Sequence, residues 1–435
     1  MSRPRLLADL SPLRESPGFR RLYSGQLVSF LGTQLTAVAV PYQAFVLTRS
    51  SLVVGLLSLA QLGPLVVGSL LGGSVADATD RRRLLLTTQV LLAVTSAGLA
   101  LNAGRHHPAL WPLFVCTAAS AGLSGIDSPT RSAAIPALVE RERLPAAYAL
   151  WQVLLQTGVV AGPALAGVLL ANFGSAPVFW VDVATFGVAF ASVARLRPLP
   201  PEGGGRRPGL ASVVEGVRFL RRRRALTGTF VIDLDAMIFG MPRALFPALG
   251  TGLYRGGATT VGLLYAAPGA GALGGALLTG WVGRVRRRGL AVLLAVTAWG
   301  VAIAGFGLAR WLPLGLLLLA VAGAADVVSA VFRNTILQLA VPDALRGRLS
   351  GMHIAVVTGG PRLGDLEAGA VASLTSPQFS VVSGGVAAVA GVALIAWLLP
   401  ELRDYRSDEA PKDLTTTLPE AGVADREEVE RGRRT

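Results

Sequence analysis

The sequence is poor in charged residues, cysteine, histidine and lysine. Only 15% of its 435 residues are charged, whereas a soluble globular protein has about 25%. The single lysine, Lys412, is followed by aspartate and preceded by no glycine pattern, which excludes a phosphate-binding loop of the G-x-x-x-x-G-K-[ST] type. One cysteine, Cys116, excludes an internal disulfide and a cysteine metal cluster. The histidines His106, His107 and His353 have no metal-binding spacing, so we expect no metal and no cofactor.

Long apolar runs fill most of the chain, and hydrophobic residues make up 52% of it. About 20 apolar residues cross a bilayer as a helix, and these runs are long enough to do so. The composition therefore excludes a soluble enzyme, a disordered protein and a disulfide-stapled secreted module. The sequence predicts an all-α integral membrane protein, and its first span has no cleavage site of the signal-peptide type. The twelve predicted spans are residues 20–47, 52–76, 84–103, 110–128, 147–171, 177–195, 226–249, 259–282, 290–309, 312–331, 351–373 and 379–399.

The basic residues are distributed unevenly between the two sides of these spans. Of the 40 basic residues, 34 fall in the termini and the loops after even-numbered spans, four fall in the other loops, and Arg243 and Arg362 lie inside spans. Because cytoplasmic loops carry the excess of Lys and Arg, both termini are predicted to be cytoplasmic and the protein to lie in the cell (inner or plasma) membrane. The net charge of +14 therefore reflects membrane topology and does not predict a nucleic-acid partner.

The spans divide into two similar halves. The predicted units are a six-helix half over 1–195, a cytoplasmic linker over 196–225, a six-helix half over 226–400 and a disordered cytoplasmic tail over 401–435. Residues 73–83 resemble residues 279–288 at an offset near 200, as expected for a transporter built from repeats with its substrate site between them. The linker segment 210–220 predicts an amphipathic helix on the anionic inner leaflet, or alternatively an ordinary basic anchor.

The loop after span two resembles the signature G-x-x-x-D-x-x-G-R-[RK] of the major facilitator superfamily. Gly73, Asp77, Arg81 and Arg82 match it, whereas Asp80 stands where the signature has glycine. The resemblance covers about 380 residues and implies twelve helices in two pseudo-symmetric halves. It also implies that the four matching residues form a cytoplasmic gate. Asp127 and Arg131 are expected to form a similar latch at the inner end of span four. The simpler alternative is that the arginines only set the topology.

A second motif in span five is typical of exporters in that superfamily. It consists of Gly158, Gly162, Pro163 and Gly167, and a helix-packing role is expected for these residues. Three further segments indicate the branch of enterobactin exporters and macrolide-efflux transporters: residues 19–26, 127–131 and 360–365. Many drug–proton antiporters have an arginine inside span four, but this span is uncharged before Asp127, so their coupling residues are not carried over.

Four carboxylates inside spans are candidates for proton coupling: Asp233, Asp235, Asp365 and Glu367. A charged group inside a span costs about 2.5–3.5 kcal/mol on insertion scales, so each one needs a partner or a function. Asp233 and Asp235 lie about 12 and 15 Å deep in span seven but about 200° apart around the helix. A hydrogen bond to a neighbouring helix is the alternative for these two, and an internal salt bridge between Arg362 and Asp365 is the alternative in span eleven.

Polar residues along spans one, five, ten and eleven are candidates for the substrate cavity, and they suit an amphipathic substrate. They are Gln26, Gln34, Tyr42, Gln43, Trp151, Gln152, Gln156, Asp326 and Arg362, which in an alternative interpretation only pack helices together.

The predicted function is export of amphipathic small molecules, drug-like compounds or siderophore-type metabolites, by proton antiport with alternating access. Its partners would be the substrate, protons and the lipid bilayer, and we expect a monomer. A proton-independent facilitator or importer is the alternative. A membrane enzyme is disfavoured because no catalytic constellation recurs on one membrane face, and a transport-inactive scaffold would need the linker and tail as its working parts.

Overall fold

The structure is a computed structural model that describes residues 9–200, 223–340 and 343–405, with side chains except at 74, 77, 340 and 343–355. All regular elements within these ranges are helical. The predicted linker helix and nearly all of the predicted tail lie outside the described residues, and so does the side chain of Asp77.

The first helical set, residues 9–200, begins with a short helix that the sequence did not predict. Its elements are α1 (Ser11–Glu15), α2 (Pro17–Thr48), α3 (Ser51–Ala60), α4 (Leu62–Ala78), α5 (Arg81–Ala103), α6 (Trp111–Leu138), a 3-10 turn (Arg141–Arg143), α7 (Leu144–Phe173) and α8 (Ser175–Ala194).

The second helical set, residues 223–405, contains several short irregular helices between its long ones. Its elements are α9 (Arg224–Phe239), a 3-10 turn (Arg243–Leu245), α10 (Phe246–Ala248), a π-helical turn (Leu249–Leu253), α11 (Gly257–Leu277), a 3-10 segment (Thr279–Arg284), α12 (Arg288–Leu308), α13 (Leu312–Ala340), α14 (Asp343–Leu374), α15 (Pro377–Leu398) and α16 (Pro400–Arg403).

Ten helical segments of the described ranges are long and apolar enough to cross a membrane. The long helices α6 and α14 are not among them, and both carry charges: Asp127 and Arg131 in α6, and Arg362, Asp365 and Glu367 in α14. The all-helical membrane architecture is therefore confirmed, whereas the number of twelve spans stays a prediction.

Proline interrupts two of the predicted spans. The segment predicted as 52–76 is divided at Gln61, because Pro64 has no N–H to donate to residue 60. The segment predicted as 226–249 leaves the α-helix after Phe239, and Pro242 likewise cannot donate to residue 238. The α-helix of span eight, predicted to reach residue 282, ends at Leu277 and continues as a 3-10 segment. The break after Phe239 shapes the candidate site.

Most helix packing occurs within each set. In the first set α2 and α5 pack on α8, and α4 packs on α6; in the second, α13 and α15 pack on α12, and α9 packs on α14. The main contacts between the sets are α7 with α11 and α3 with α14. We call the end where α2 begins the basic end, and the end where α2 ends at Thr48 the opposite end.

Candidate functional site

A cavity of about 250 Å³ lies between the two helical sets. Gln156 and Trp299 both lie near the middle of long helices, so the cavity is at mid-depth in the bundle. Of the sequence-predicted cavity residues, Gln156 and Asp326 line it. The residues that give it its chemical character are Gln156, Met241, Arg243, Phe246, Trp299 and Asp326.

The break in the helix after Phe239 forms one wall of the cavity, and its exposed backbone groups are bound by side chains. Trp299 Nε1 donates to the carbonyl oxygen of Gly240 at 3.0 Å, and the Tyr265 hydroxyl donates to that of Arg243 at 3.0 Å. The N–H of Ala244 donates to Asp365 Oδ1 at 3.0 Å. Irregular backbone at membrane depth is tolerated where it is buried in protein or lines a cavity, as here.

The other predicted cavity residues lie elsewhere in the bundle. Gln26 and Gln43 are buried, whereas Gln152 is exposed. Gln34 packs on Gly162, and Arg362 Nη1 donates to the carbonyl oxygen of Thr358 at 2.5 Å, within its own helix. The residues outside the 250 Å³ cavity are Gln26, Gln34, Tyr42, Gln43, Trp151, Gln152 and Arg362, and their role in substrate binding stays a prediction.

Glycines bring the two sets into close contact at the opposite end. Gly167 of α7 faces Gly262 of α11, and a Cβ atom on Gly262 would lie 2.6 Å from the Cα atom of Gly167. Gly55 of α3 similarly packs on the backbone of Asp365. Gly158 and Gly162, the other glycines of the span-five motif, pack on Phe30 and Gln34 of α2. The opposite end of the cavity is thereby closed.

Asp365 joins the two sets at this closed end. Its Oδ2 atom accepts a hydrogen bond from the Ser58 hydroxyl of the first set at 2.6 Å, and its Oδ1 atom accepts the Ala244 N–H of the second. The structure therefore places Asp365 in a contact between the sets, and not in a hydrogen-bonded pair with Arg362. Glu367 is half-buried two residues further along the same helix.

Asp233 forms a buried ion pair with Arg333 of α13, whose guanidinium also lies 3.7 Å from Asp326. The sequence placed Arg333 in a cytoplasmic loop, but α13 continues to Ala340, and Arg333 is only 4% exposed. Asp235 faces another direction, as its 200° separation from Asp233 requires, and packs against Gly391 of α15. Which of these carboxylates couples protons stays a prediction.

At the basic end, the gate residues of the first set bond within that set. Asp127 pairs with Arg131 and accepts the Thr88 hydroxyl at 2.6 Å. Arg81 donates to the carbonyl oxygen of Ala133 at 3.2 Å, and Arg82 donates to that of Ala194 at 2.7 Å. A Cβ atom added at Gly73 would meet no described atom of another helix within 4 Å.

Asp80, which departs from the superfamily signature, caps α5. Its Oδ1 atom accepts the N–H groups of Arg82 at 2.8 Å and Arg83 at 3.2 Å. We expect Asp80→Ala to lower the free energy of unfolding by about 1 kcal/mol, because the cap is lost. Asp80→Asn keeps the cap and should change stability little. Denaturant unfolding of both variants in detergent measures the difference, and equal stabilities of Asp80→Ala and Asp80→Asn would contradict a capping role.

Two charged residues in the membrane-spanning region are buried or line the cavity although neither is a sequence-predicted site residue. Asp182, which was not among the sequence candidates, is only 1% exposed and accepts hydrogen bonds from the hydroxyl groups of Thr36 at 2.8 Å and Ser96 at 2.7 Å. Arg243 was noted as lying inside a span but was not assigned to the cavity that it lines. The signal for Arg243 was its position one residue after a helix-breaking proline.

Two helical sets that enclose a mid-depth cavity, one wall of which is a broken helix, define a membrane transporter. The chain belongs to the family of transmembrane secretion effectors, which matches residues 7–433 and confirms the resemblance to the major facilitator superfamily. The family and its relatives are membrane transporters and not enzymes, and the same holds for this chain.

Curated relatives match nearly the whole chain. The enterobactin exporters EntS of Shigella boydii serotype 4 (strain Sb227) and Escherichia coli O9:H4 (strain HS) are each 30% identical over 417 residues, covering 96% of this chain and 100% of the relative.

Solved structures show the same fold. The nucleoside transporter NupG has a TM-score of 0.69 at 12% identity, and the match covers 89% of this chain and 99% of NupG. A bacterial homologue of the human lysosomal transporter Spinster, in an inward-facing and unoccupied conformation, has a TM-score of 0.70 at 14% identity, with 89% and 98% covered.

Proposed function

We propose that the protein exports amphipathic small molecules, siderophore-type metabolites or drug-like compounds, across the cell membrane in exchange for protons. The observation that carries this proposal is the mid-depth cavity between two helical sets that are joined by close contacts at one end. The relatives named enterobactin exporters support a siderophore-type substrate. Twelve spans in two halves, 1–195 and 226–400, complete the proposed architecture, with both termini in the cytoplasm.

The proposed mechanism is alternating access, and the described state would be open toward the cytoplasm. The buried cluster at the opposite end contains residues of both sets, such as Leu57 and Val261, so this end is closed. The bonds of Arg81 and Arg82 at the basic end stay within the first set, and the Arg224–Glu401 ion pair stays within the second. Rocking of one set against the other would open the opposite end.

Among the four candidates, Asp365 is the carboxylate that we propose couples protons to this motion. A charged carboxylate strengthens the hydrogen bonds that it accepts, so protonation weakens the contact with Ser58. Because coupling is reciprocal, the proton is then taken up in the state in which this contact is broken, which opens to the outside. That direction is the one required for export against proton entry. Asp233 is less suited because Arg333 neutralises it.

Removal of the Ser58 hydroxyl should shift the protein toward the outward-open state. A hydrogen bond to a charged group contributes about 1.5–3 kcal/mol, so Ser58→Ala should change the ratio of the two states by about tenfold or more. Double electron–electron resonance measures this ratio from the distance between two spin labels. The labels are attached at Arg105→Cys and Arg310→Cys in a Cys116→Ser background. Ser132→Ala removes a hydroxyl that bonds only within α6 and is the matched control. Identical distance distributions for Ser58→Ala and the control would contradict the latch.

The experiment that tests the proposed function uses inverted membrane vesicles with an acidic interior. We expect accumulation of enterobactin, and of members of a panel of macrolides and lipophilic cations, that a protonophore abolishes. Accumulation that the protonophore does not affect would indicate the alternative, a proton-independent facilitator or importer. Vesicles without the protein provide the background.

A further inference from the structure

Arg243 presents to the mid-depth cavity a charge that forms no direct ion pair within the described residues. The residue is exposed, and no carboxylate of the described residues lies within 4 Å of its guanidinium. Asp326 and Asp365 interact with it electrostatically at longer range. Asp326 contacts Arg333 instead. Asp365 accepts hydrogen bonds from the Ser58 hydroxyl and from the N–H of Ala244. The five N–H donors of the guanidinium make no hydrogen bond within the described ranges, so all remain available to a ligand.

An arginine at this depth is costly unless a charged partner neutralises it. The helix that precedes it, α9, has 16 residues and is about 24 Å long, so Arg243 lies deep in the bundle. Intramembrane ionisable residues that face a cavity generally mark a substrate or ion pathway. Since the described residues supply no close counter-charge, we expect the ligand to carry the anionic group.

Two aromatic rings with fixed orientations, those of Trp299 and Phe246, line the same cavity. The indole of Trp299 is held by its bond to the Gly240 carbonyl oxygen, and Phe246 packs edge-on against Tyr265, with ring centroids 5.0 Å apart and planes at 83°. Aromatic side chains favour planar apolar ligands that stack on them or meet them edge-on. Gln156 of the first set adds an amide that can both donate and accept.

The volume of the cavity limits the size of the ligand. An apolar cavity of about 150 Å³ accommodates benzene, and drug-sized ligands occupy about 300–1,000 Å³. The 250 Å³ between the helical sets therefore suits one substituted ring and not a whole macrocycle.

We propose that the cavity binds a single aromatic ring bearing an anionic oxygen, a carboxylate or phenolate, which pairs with Arg243 while the rest of a larger substrate lies outside the cavity. This inference rests on the proposed function and narrows its substrate class: aromatic anions are preferred to aromatic cations. Arg243 is then a specificity-determining residue at the deep end of the cavity, and the planar fork of its guanidinium matches a carboxylate.

Calorimetric binding to the full-length protein in nanodiscs tests the proposal without any ion gradient. The probes are 2-hydroxybenzoate, its neutral methyl ester and the benzyltrimethylammonium cation. We expect the wild-type protein to bind 2-hydroxybenzoate at least tenfold more tightly than either other probe. Arg243→Gln should bind the anion no better than the ester, Arg243→Lys should retain part of the preference, and Arg310→Gln, an exposed arginine at the opposite end, should behave as wild type.

Equal affinity of the wild-type protein for the anion and the ester would overturn the proposal, even if Arg243→Gln failed to fold. An unchanged anion preference in a folded Arg243→Gln variant would also overturn it. The transport experiment is separate. Anion-selective binding without siderophore export would contradict the proposed function alone, whereas export without anion-selective binding would contradict this inference alone.

Discussion

Replacing Arg333 by methionine is expected to lower the free energy of unfolding by about 3–5 kcal/mol, because it leaves a buried carboxylate without its cation. Arg333 is 4% exposed and pairs with Asp233, which has no measurable exposure. Reversible unfolding in mixed micelles, followed by circular dichroism, measures the change. The double variant Asp233→Leu with Arg333→Met should recover most of the loss, since an apolar pair of similar volume is often neutral or stabilising.

An exposed ion pair is the matched control for this prediction. Arg224 and Glu401 lie 3.2 Å apart with side chains 68% and 43% exposed, and such pairs contribute only about 0–1 kcal/mol. Arg224→Met should therefore change stability little. A loss in Arg333→Met no larger than in Arg224→Met, or a double variant less stable than Arg333→Met alone, would contradict the assigned ion pair.

Gly262→Leu should abolish transport while the protein remains folded. A Cβ atom at this position would lie 2.5 Å from the carbonyl oxygen of Pro163 and 2.6 Å from the Cα atom of Gly167. Both atoms belong to the backbone and cannot rotate away, so the closed contact between α7 and α11 cannot form. A penalty of about 3 kcal/mol from overpacking corresponds to about a hundredfold shift toward the state open at the opposite end.

Gly274→Leu, on the same helix, is the control, because a Cβ atom there meets no described atom within 4 Å. Vesicle accumulation gives the transport rate, and the Arg105–Arg310 label distance reports the state. Normal transport by Gly262→Leu, or an equal loss in Gly274→Leu, would contradict the role of this contact in closing the opposite end.

The architecture was largely predictable from the sequence, because membrane solvation acts on composition and arginine position. The glycines at 158, 162 and 167 were expected to pack helices, and the structure places a neighbouring helix against each of them. Arg333 was misplaced because apolar content alone ended span ten at residue 331, whereas its buried position depends on Asp233, 100 residues away.

The composition of the cavity could not be predicted, because it depends on helix rotations. Gln152 and Gln156 share one helix face by spacing, yet only Gln156 lines the cavity. Arg243 reaches it because Pro242 breaks the helix, which turns the following residues away from the regular helical direction. The contact between Asp365 and Ser58 joins two residues that are 307 positions apart in the sequence, so no local pattern predicts it.

The central claim, export coupled to protons through Asp365, is tested most directly in proteoliposomes that contain a trapped pH indicator. Enterobactin added to proteoliposomes with an acidic interior should be taken up through wild-type protein with release of protons, so the interior pH rises. Asp365→Asn should allow substrate movement without that pH change, whereas Asp235→Asn should behave as wild type. Proton movement that persists in Asp365→Asn at the wild-type ratio to substrate would contradict the account.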